Sequence, residues 1–160
     1  MEANYMTRKA WDALNTKLLQ LQDNVKPGGK IAKEIGKAAS HGDLSENAEW
    51  EQAILKKDMI GNEINNLRQR LSIVTIIDDM EINVEKVMLG TRVTLYDLDN
   101  DKELTYQILS SDDAPFYENV ISAKSPIARG ILGKSEGDEA QIVVPAGERN
   151  FEIVKIGKFS

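Results

Sequence analysis

From Trp11 the apolar residues fall at Trp11, Leu14, Leu18, Leu21 and Val25, the alternating three-and-four spacing of a coiled-coil seam. Carried onward, the same register reaches Gly28, Ala32, Ile35 and Ala39. The run Pro27-Gly28-Gly29 therefore predicts a local break after which the helix resumes on the same face. A second seam follows at Trp50, Ala53, Lys57, Ile60, Ile64, Leu67, Leu71 and Val74. The two seams are mirror images about the Gly42–Asp43 bond: Leu14 reflects onto Leu71, Leu18 onto Leu67, Leu21 onto Ile64 and Val25 onto Ile60. That symmetry is what an antiparallel helical hairpin with its tip at 41–46 requires. With a rise of about 1.5 Å per residue, each arm would extend about 45 Å. Lys57, the one polar seam position, reflects onto Gly28, where a broken helix leaves room for a long side chain. The alternative is two unrelated amphipathic helices in a bundle.

After Asp78-Asp79 the period changes. Thr91 to Tyr96 and Leu104 to Leu109 alternate as strands around turn residues 97–103, and Ile121 ends a third. Ser125-Pro126 is a helix start with proline at the first position, for a short helix closing at Gly133. Residues 140–144 and 151–156 supply two more strands. The expected fold is α+β in two domains: an antiparallel α-helical coiled-coil hairpin over 1–77, a linker over 78–86, and over 87–160 a small antiparallel sheet with one short helix.

Composition narrows the chemistry. Cysteine is absent and His41 is the single histidine, which excludes thiolate sites and zinc sites built on several imidazoles, so any metal must be held by carboxylates. With 41% apolar and 29% charged residues and no apolar run near the roughly 20 residues of a membrane span, a soluble cytoplasmic protein is expected. The net charge of −6 argues against binding nucleic acid by bulk attraction, so any such contact is local.

The tip supports two readings. Gly42 can end one helix and Asp43 can cap the next, with Asp43-Leu44-Ser45-Glu46 at capping-box spacing. These residues would then make a turn and nothing more. Alternatively, Asp43 and Glu46 form a carboxylate pair at the end of a rod. Such a pair holds Mg²⁺ weakly alone and would complete a partner's site. Lys26, Lys30, Lys33 and Lys37 run along one face toward the tip, either as a solvated face or as a track for a nucleic-acid backbone.

Two motifs in order, His41-Gly42-Asp43-Leu44-Ser45-Glu46-Asn47-Ala48-Glu49 and Ser125-Pro126-Ile127-Ala128-Arg129-Gly130 with Gly133-Lys134 and Gly137-Asp138, resemble the Gre transcript-cleavage factors of bacteria, the GreA type most closely. The resemblance spans nearly the whole chain. It implies a transcription elongation factor that is not itself an enzyme but makes a backtracked bacterial RNA polymerase cut its own transcript. It also implies a C-terminal domain resembling FK506-binding proteins, docking at the rim of the polymerase secondary channel, and a hairpin passing down that channel. Asp43 and Glu46 would then be the catalytic acids, helping to hold an Mg²⁺ shared with the polymerase and to position water. Lys33 and Lys37 would face the nascent RNA 3′ end, and Ser125, Pro126 and Ile127 would contact the polymerase. Relatives often carry arginine where this chain has Ala39 and Ile54, which shifts the RNA contacts to Lys37, Lys56 or Lys57. A monomer with no membrane partner is expected. The competing class is a Gre-fold relative that occupies the channel and inhibits or regulates transcription without stimulating cleavage.

Overall fold

The heptad-spaced residues of the first arm build α1 (Arg8–Val25) and those of the second build α3 (Ala48–Ser72), with a shorter α2 (Lys30–Ala39) between them. In the computed structural model, which describes residues 4–43 and 47–160, Leu18, Ile64 and Leu67 are buried at the centre of this hairpin. Leu14, Leu21, Val25, Ile60 and Leu71 pack around them, so both members of each of the four mirrored pairs lie in one cluster. Burying a large aliphatic side chain contributes roughly 1.5–3 kcal/mol, so each of these positions adds to the hairpin's cohesion. Ion pairs cross beside it, Lys17 with Glu63 at 2.7 Å and Lys56 with Glu34 at 3.1 Å.

The break falls where Pro27-Gly28-Gly29 predicts it, but the phase is not preserved. Gly28 takes a left-handed φ of +80°, and the Gly29 N–H donates to the Lys26 carbonyl at 2.8 Å. Beyond the turn the buried residues are Ile31 and Ala38, whereas Ala32, Ile35 and Ala39 of the expected seam are half-buried. A turn containing a left-handed residue does not advance the chain by the helical repeat, so the resumed helix presents a neighbouring row. Lys57 is exposed rather than set into the seam against Gly28, since its ammonium is cheaper to leave in water than to bury.

Past Ser72 the chain does not continue the arm to Ile77. It becomes strand β2 (Val74–Ile76), which pairs with β1 (Asn4–Met6) in a two-stranded sheet. By contacts, Trp11–Val74 is one compact unit, and the described residues before and after it belong to the other. Residues 78–86, expected as a linker, are tied into this second unit. Ile77 and Val87 at the flanks are buried, Asp78 Oδ1 accepts from the Arg8 backbone N–H at 2.7 Å, and Asp79 bridges the Arg8 guanidinium at 3.0 Å.

The main sheet contains β3 (Thr91–Asp97), β4 (Lys102–Ile108), β5 (Val120–Ile121), β6 (Glu139–Val144) and β7 (Gly147–Lys158) in the order β5-β4-β3-β7-β6. Every pairing is antiparallel except β4 with β5, which is parallel. The short helix α4 (Pro126–Ile131) packs on it, closing at Ile131 rather than at Gly133. Alternation along the strands sends Val93, Leu95, Ile142, Phe151 and Ile153 into the core, where Ile131 of α4 meets them. Gly130 permits that approach, because a Cβ there would lie 2.5 Å from Ile142 Cγ1.

The β3–β4 turn is organised by Asp97. Its side chain accepts from the N–H groups of Asp99 (3.0 Å) and Asn100 (3.1 Å), the Asn100 amide (2.9 Å) and the Arg149 guanidinium (3.1 Å). The Asn100 side-chain bond foremost, then Arg149, pulls its pKa from the ordinary 3.8 down to about 2.

Candidate functional site at the hairpin tip

At the end of α2 the Ser40 hydroxyl donates to the Lys37 carbonyl at 2.6 Å, satisfying one of the acceptors left open at a helix C-terminus. Gly42 follows with φ of +142°, a conformation that favours glycine, and turns the chain away from the helix. Asp43 is exposed beyond it. Glu46, the other acid expected here, lies outside the described residues.

Asp43 does not cap α3. The cap is Asn47, whose extended backbone (φ −94°, ψ 96°) precedes the helix and whose Oδ1 accepts the Trp50 N–H at 3.1 Å. Its other end crosses the hairpin, with Nδ2 donating to the Ala38 carbonyl of α2 at 2.6 Å. One asparagine thus ends one helix and starts the next. Glu49 and Glu51 in the first turn of α3 suit the positive end of its dipole. The signal for Asn47 was present in the sequence, since asparagine is among the strongest capping residues and this one stands three before the seam residue Trp50. The capping-box spacing at Asp43 drew the assignment to the wrong residue. Asp43 stands four residues before Asn47 and lies outside both α2 and α3.

Lys33 and Lys37 are both exposed on α2, together with Lys30. Lys26 pairs with Asp23 at 3.0 Å in the preceding helical stretch, and Lys56 pairs with Glu34, so neither is a free cation. Lys57 is exposed. Among the described residues no group of three or more histidine or acidic side chains is placed to hold a metal ion. At the described tip the exposed acid is Asp43.

The third group of expected site residues lies in the other unit. Ser125 caps α4, its hydroxyl accepting the Ala128 N–H at 3.2 Å, and Pro126 is exposed at the first helical position. Ile127 is half-buried and packs against the main core, so it serves the fold whatever else it touches. No helix among the described residues is long and apolar enough to cross a membrane.

Comparison with known proteins bears on both units. The family model described as "Transcription elongation factor, N-terminal" matches residues 4–76, and "Transcription elongation factor, GreA/GreB, C-term" matches residues 82–158. Transcription elongation factor GreA of Neisseria meningitidis serogroup A is 40% identical over 94% of this chain and 95% of its own length. The GreA of Hyphomonas neptunium is 40% identical over 98% of both. Among solved structures, the crystal structure of GreA factor homolog 1 of Thermus thermophilus is 24% identical, covers 98% of this chain and 99% of its own, and superposes with a TM-score of 0.42.

Proposed function

The chain belongs to the GreA/GreB family of transcription elongation factors, and from that premise we propose that it enters the secondary channel of a backtracked bacterial RNA polymerase and stimulates cleavage of the transcript 3′ end. The observation that supports this reading is the exposed Asp43, which follows Gly42 past the end of α2 while Asn47 caps α3. A carboxylate exposed at the tip can be reached by an incoming metal.

Asp43, with Glu46 three residues on in sequence, would supply oxygen ligands to an Mg²⁺ held mainly by the polymerase. That ion, when bound, supplies charge stabilisation at the reacting phosphate and a more acidic water. The chain's own part is to bind, to orient and to bring negative charge to the right place. Lys33 and Lys37 would meet the phosphodiester backbone near the 3′ end. Ser125, Pro126 and Ile127 would contribute to docking on the polymerase. The reaction belongs to the polymerase, and the factor acts as a monomer in the cytoplasm.

The test is a reconstituted, stalled elongation complex with 3′-labelled RNA. Wild-type factor releases short 3′ fragments, which an inhibitor that only occupied the channel would not. Asp43→Ala lowers the cleavage rate by about 100-fold or more, the scale seen when one preorganised electrostatic group is removed. Its competition with labelled wild-type factor for polymerase stays within about twofold, because uniform binding is untouched. Cleavage by Asp43→Ala at the wild-type rate would sink the proposal.

A further inference from the structure

Both ends of the tip are tied to one atom. The Ala38 carbonyl oxygen accepts the His41 backbone N–H at 3.2 Å, from the chain that leaves α2, and Asn47 Nδ2 at 2.6 Å, from the chain that enters α3. A carbonyl oxygen has two lone pairs, so these donors fill it. Ala38 is buried, which makes its oxygen a steady reference for the segment beyond. The preceding carbonyls are served as well, those of Gly36 and Lys37 by the Ser40 N–H, each at 3.2 Å.

Asp43 lies between the two donors in sequence and needs such a reference. Gly42 before it has φ of +142°, and a Cβ there would meet nothing within 4 Å among the described residues. Tethered at His41 alone, the chain could swing Asp43 about this glycine. The second tie, at Asn47, closes the segment into a loop and removes conformations open to a free chain. Asn47 suits the task because its amide has two ends. Oδ1 accepts the Trp50 N–H at 3.1 Å, and Nδ2 donates across the hairpin, so the two partners also settle which end is which. Serine or aspartate would cap α3 comparably. Aspartate has no donor for Ala38, and a serine hydroxyl is too short to reach it from the cap.

We propose that Asn47 is a positioning residue for transcript cleavage: through the Ala38 carbonyl it closes the tip and holds Asp43 where the polymerase's ion meets it. The inference rests on the cleavage reading above and deepens it, giving the asparagine a part in the reaction beyond starting α3.

The test uses the full chain with Asn47→Ser and Asn47→Asp, which keep the capping acceptor and lose the bond to Ala38. In the stalled elongation complex the maximal cleavage rate falls by about 10-fold or more in each, as expected when a reacting group is misplaced. The factor concentration giving half of that rate stays within about twofold, because only positioning has changed. Placed on Asp43→Ala, Asn47→Ser lowers the rate no further, since it acts through Asp43. A second readout needs no polymerase. The sequence has no cysteine, so Asp43→Cys takes a single nitroxide label, and in the free factor its electron paramagnetic resonance lines narrow when Asn47→Ser is added. A label on Leu55→Cys, at an exposed position of α3, does not change. A wild-type cleavage rate in either variant overturns the proposal, and so do a loss expressed only as weaker binding, full additivity with Asp43→Ala, or labels at 43 and 55 that respond alike. Circular dichroism at the assay temperature checks folding: if one variant is unfolded the other decides, and unfolding of both, which would make the bond merely structural, also overturns it. Failure of the wild-type factor to cleave strikes the functional reading, whereas cleavage lost in Asp43→Ala but kept in the Asn47 variants strikes this inference alone.

Discussion

The buried carboxylate of Asp113 accepts hydrogen bonds from both the backbone N–H and the hydroxyl of Thr7, at 2.9 and 2.7 Å, across 106 residues of sequence. Its second oxygen takes the N–H and hydroxyl of Ser110, at 3.0 and 2.8 Å. Four donors converge on one side chain that is 1% exposed, and Thr7 is fully buried. Thr7 and Asp113 belong to the same compact unit, and these bonds tie the segment before α1 into it. Asp113→Ala would leave buried donors without acceptors, and we expect it to lower stability by about 2–4 kcal/mol. Urea unfolding followed by tyrosine fluorescence checks this; a loss under about 0.5 kcal/mol, the range of an ordinary surface change, contradicts it.

Asp97 makes stability depend on acid. Its pKa is depressed in the folded state, so the stabilisation it gives is fully present above the ordinary 3.8 and is lost as pH falls through that value toward about 2. Asp97→Asn cannot titrate, and its unfolding midpoint in urea should decline less steeply than the wild type's over that window. Parallel curves for the two proteins would refute the assignment.

Asn47 works on both arms of the hairpin at once. Asn47→Ala removes the cap on Trp50 N–H and the bond to the Ala38 carbonyl, and the hairpin should lose about 1–2 kcal/mol. Asn47→Asp keeps the capping acceptor but not the amide donor to Ala38, so it should recover part of that loss. Thermal melts of the three proteins read this directly, and an Asp variant no better than Ala would show that the cap contributes little.

Burial separates two leucines on α3. Leu67 is 4% exposed within the seam and Leu55 is 61% exposed outside it. Leu67→Ala should cost about 2–4 kcal/mol as a cavity-forming change, and Leu55→Ala should stay within about 0.5 kcal/mol. Equal losses at the two sites would mean that the arms do not pack along the mirrored seam.

Much of this protein is determined by the sequence alone. The seam from Leu14 to Leu71 could be read residue by residue because coiled-coil packing is periodic and local, and a reflection of the pattern implies a hairpin without knowledge of any contact. The start of α4 at Ser125-Pro126 was equally legible, since a cap and a first-position proline act over one turn of chain. Two family motifs in order then identified what the fold belongs to.

Tertiary structure decided the rest, each time because a non-local contact outweighed a local signal. Three-residue strands such as Asn4–Met6 carry no readable period and exist only because Val74–Ile76 returns beside them. The anchoring of Thr7 by Asp113 joins residues too far apart for spacing to suggest. At the tip two residues could cap α3 by spacing, and Asn47 is the one that also reaches the Ala38 carbonyl on the opposite arm. The break at Gly28-Gly29 was visible as composition, but its effect on phase was not: rotation after a left-handed turn depends on dihedral angles, and those are settled by how Ile31 and Ala38 find burial in the hairpin.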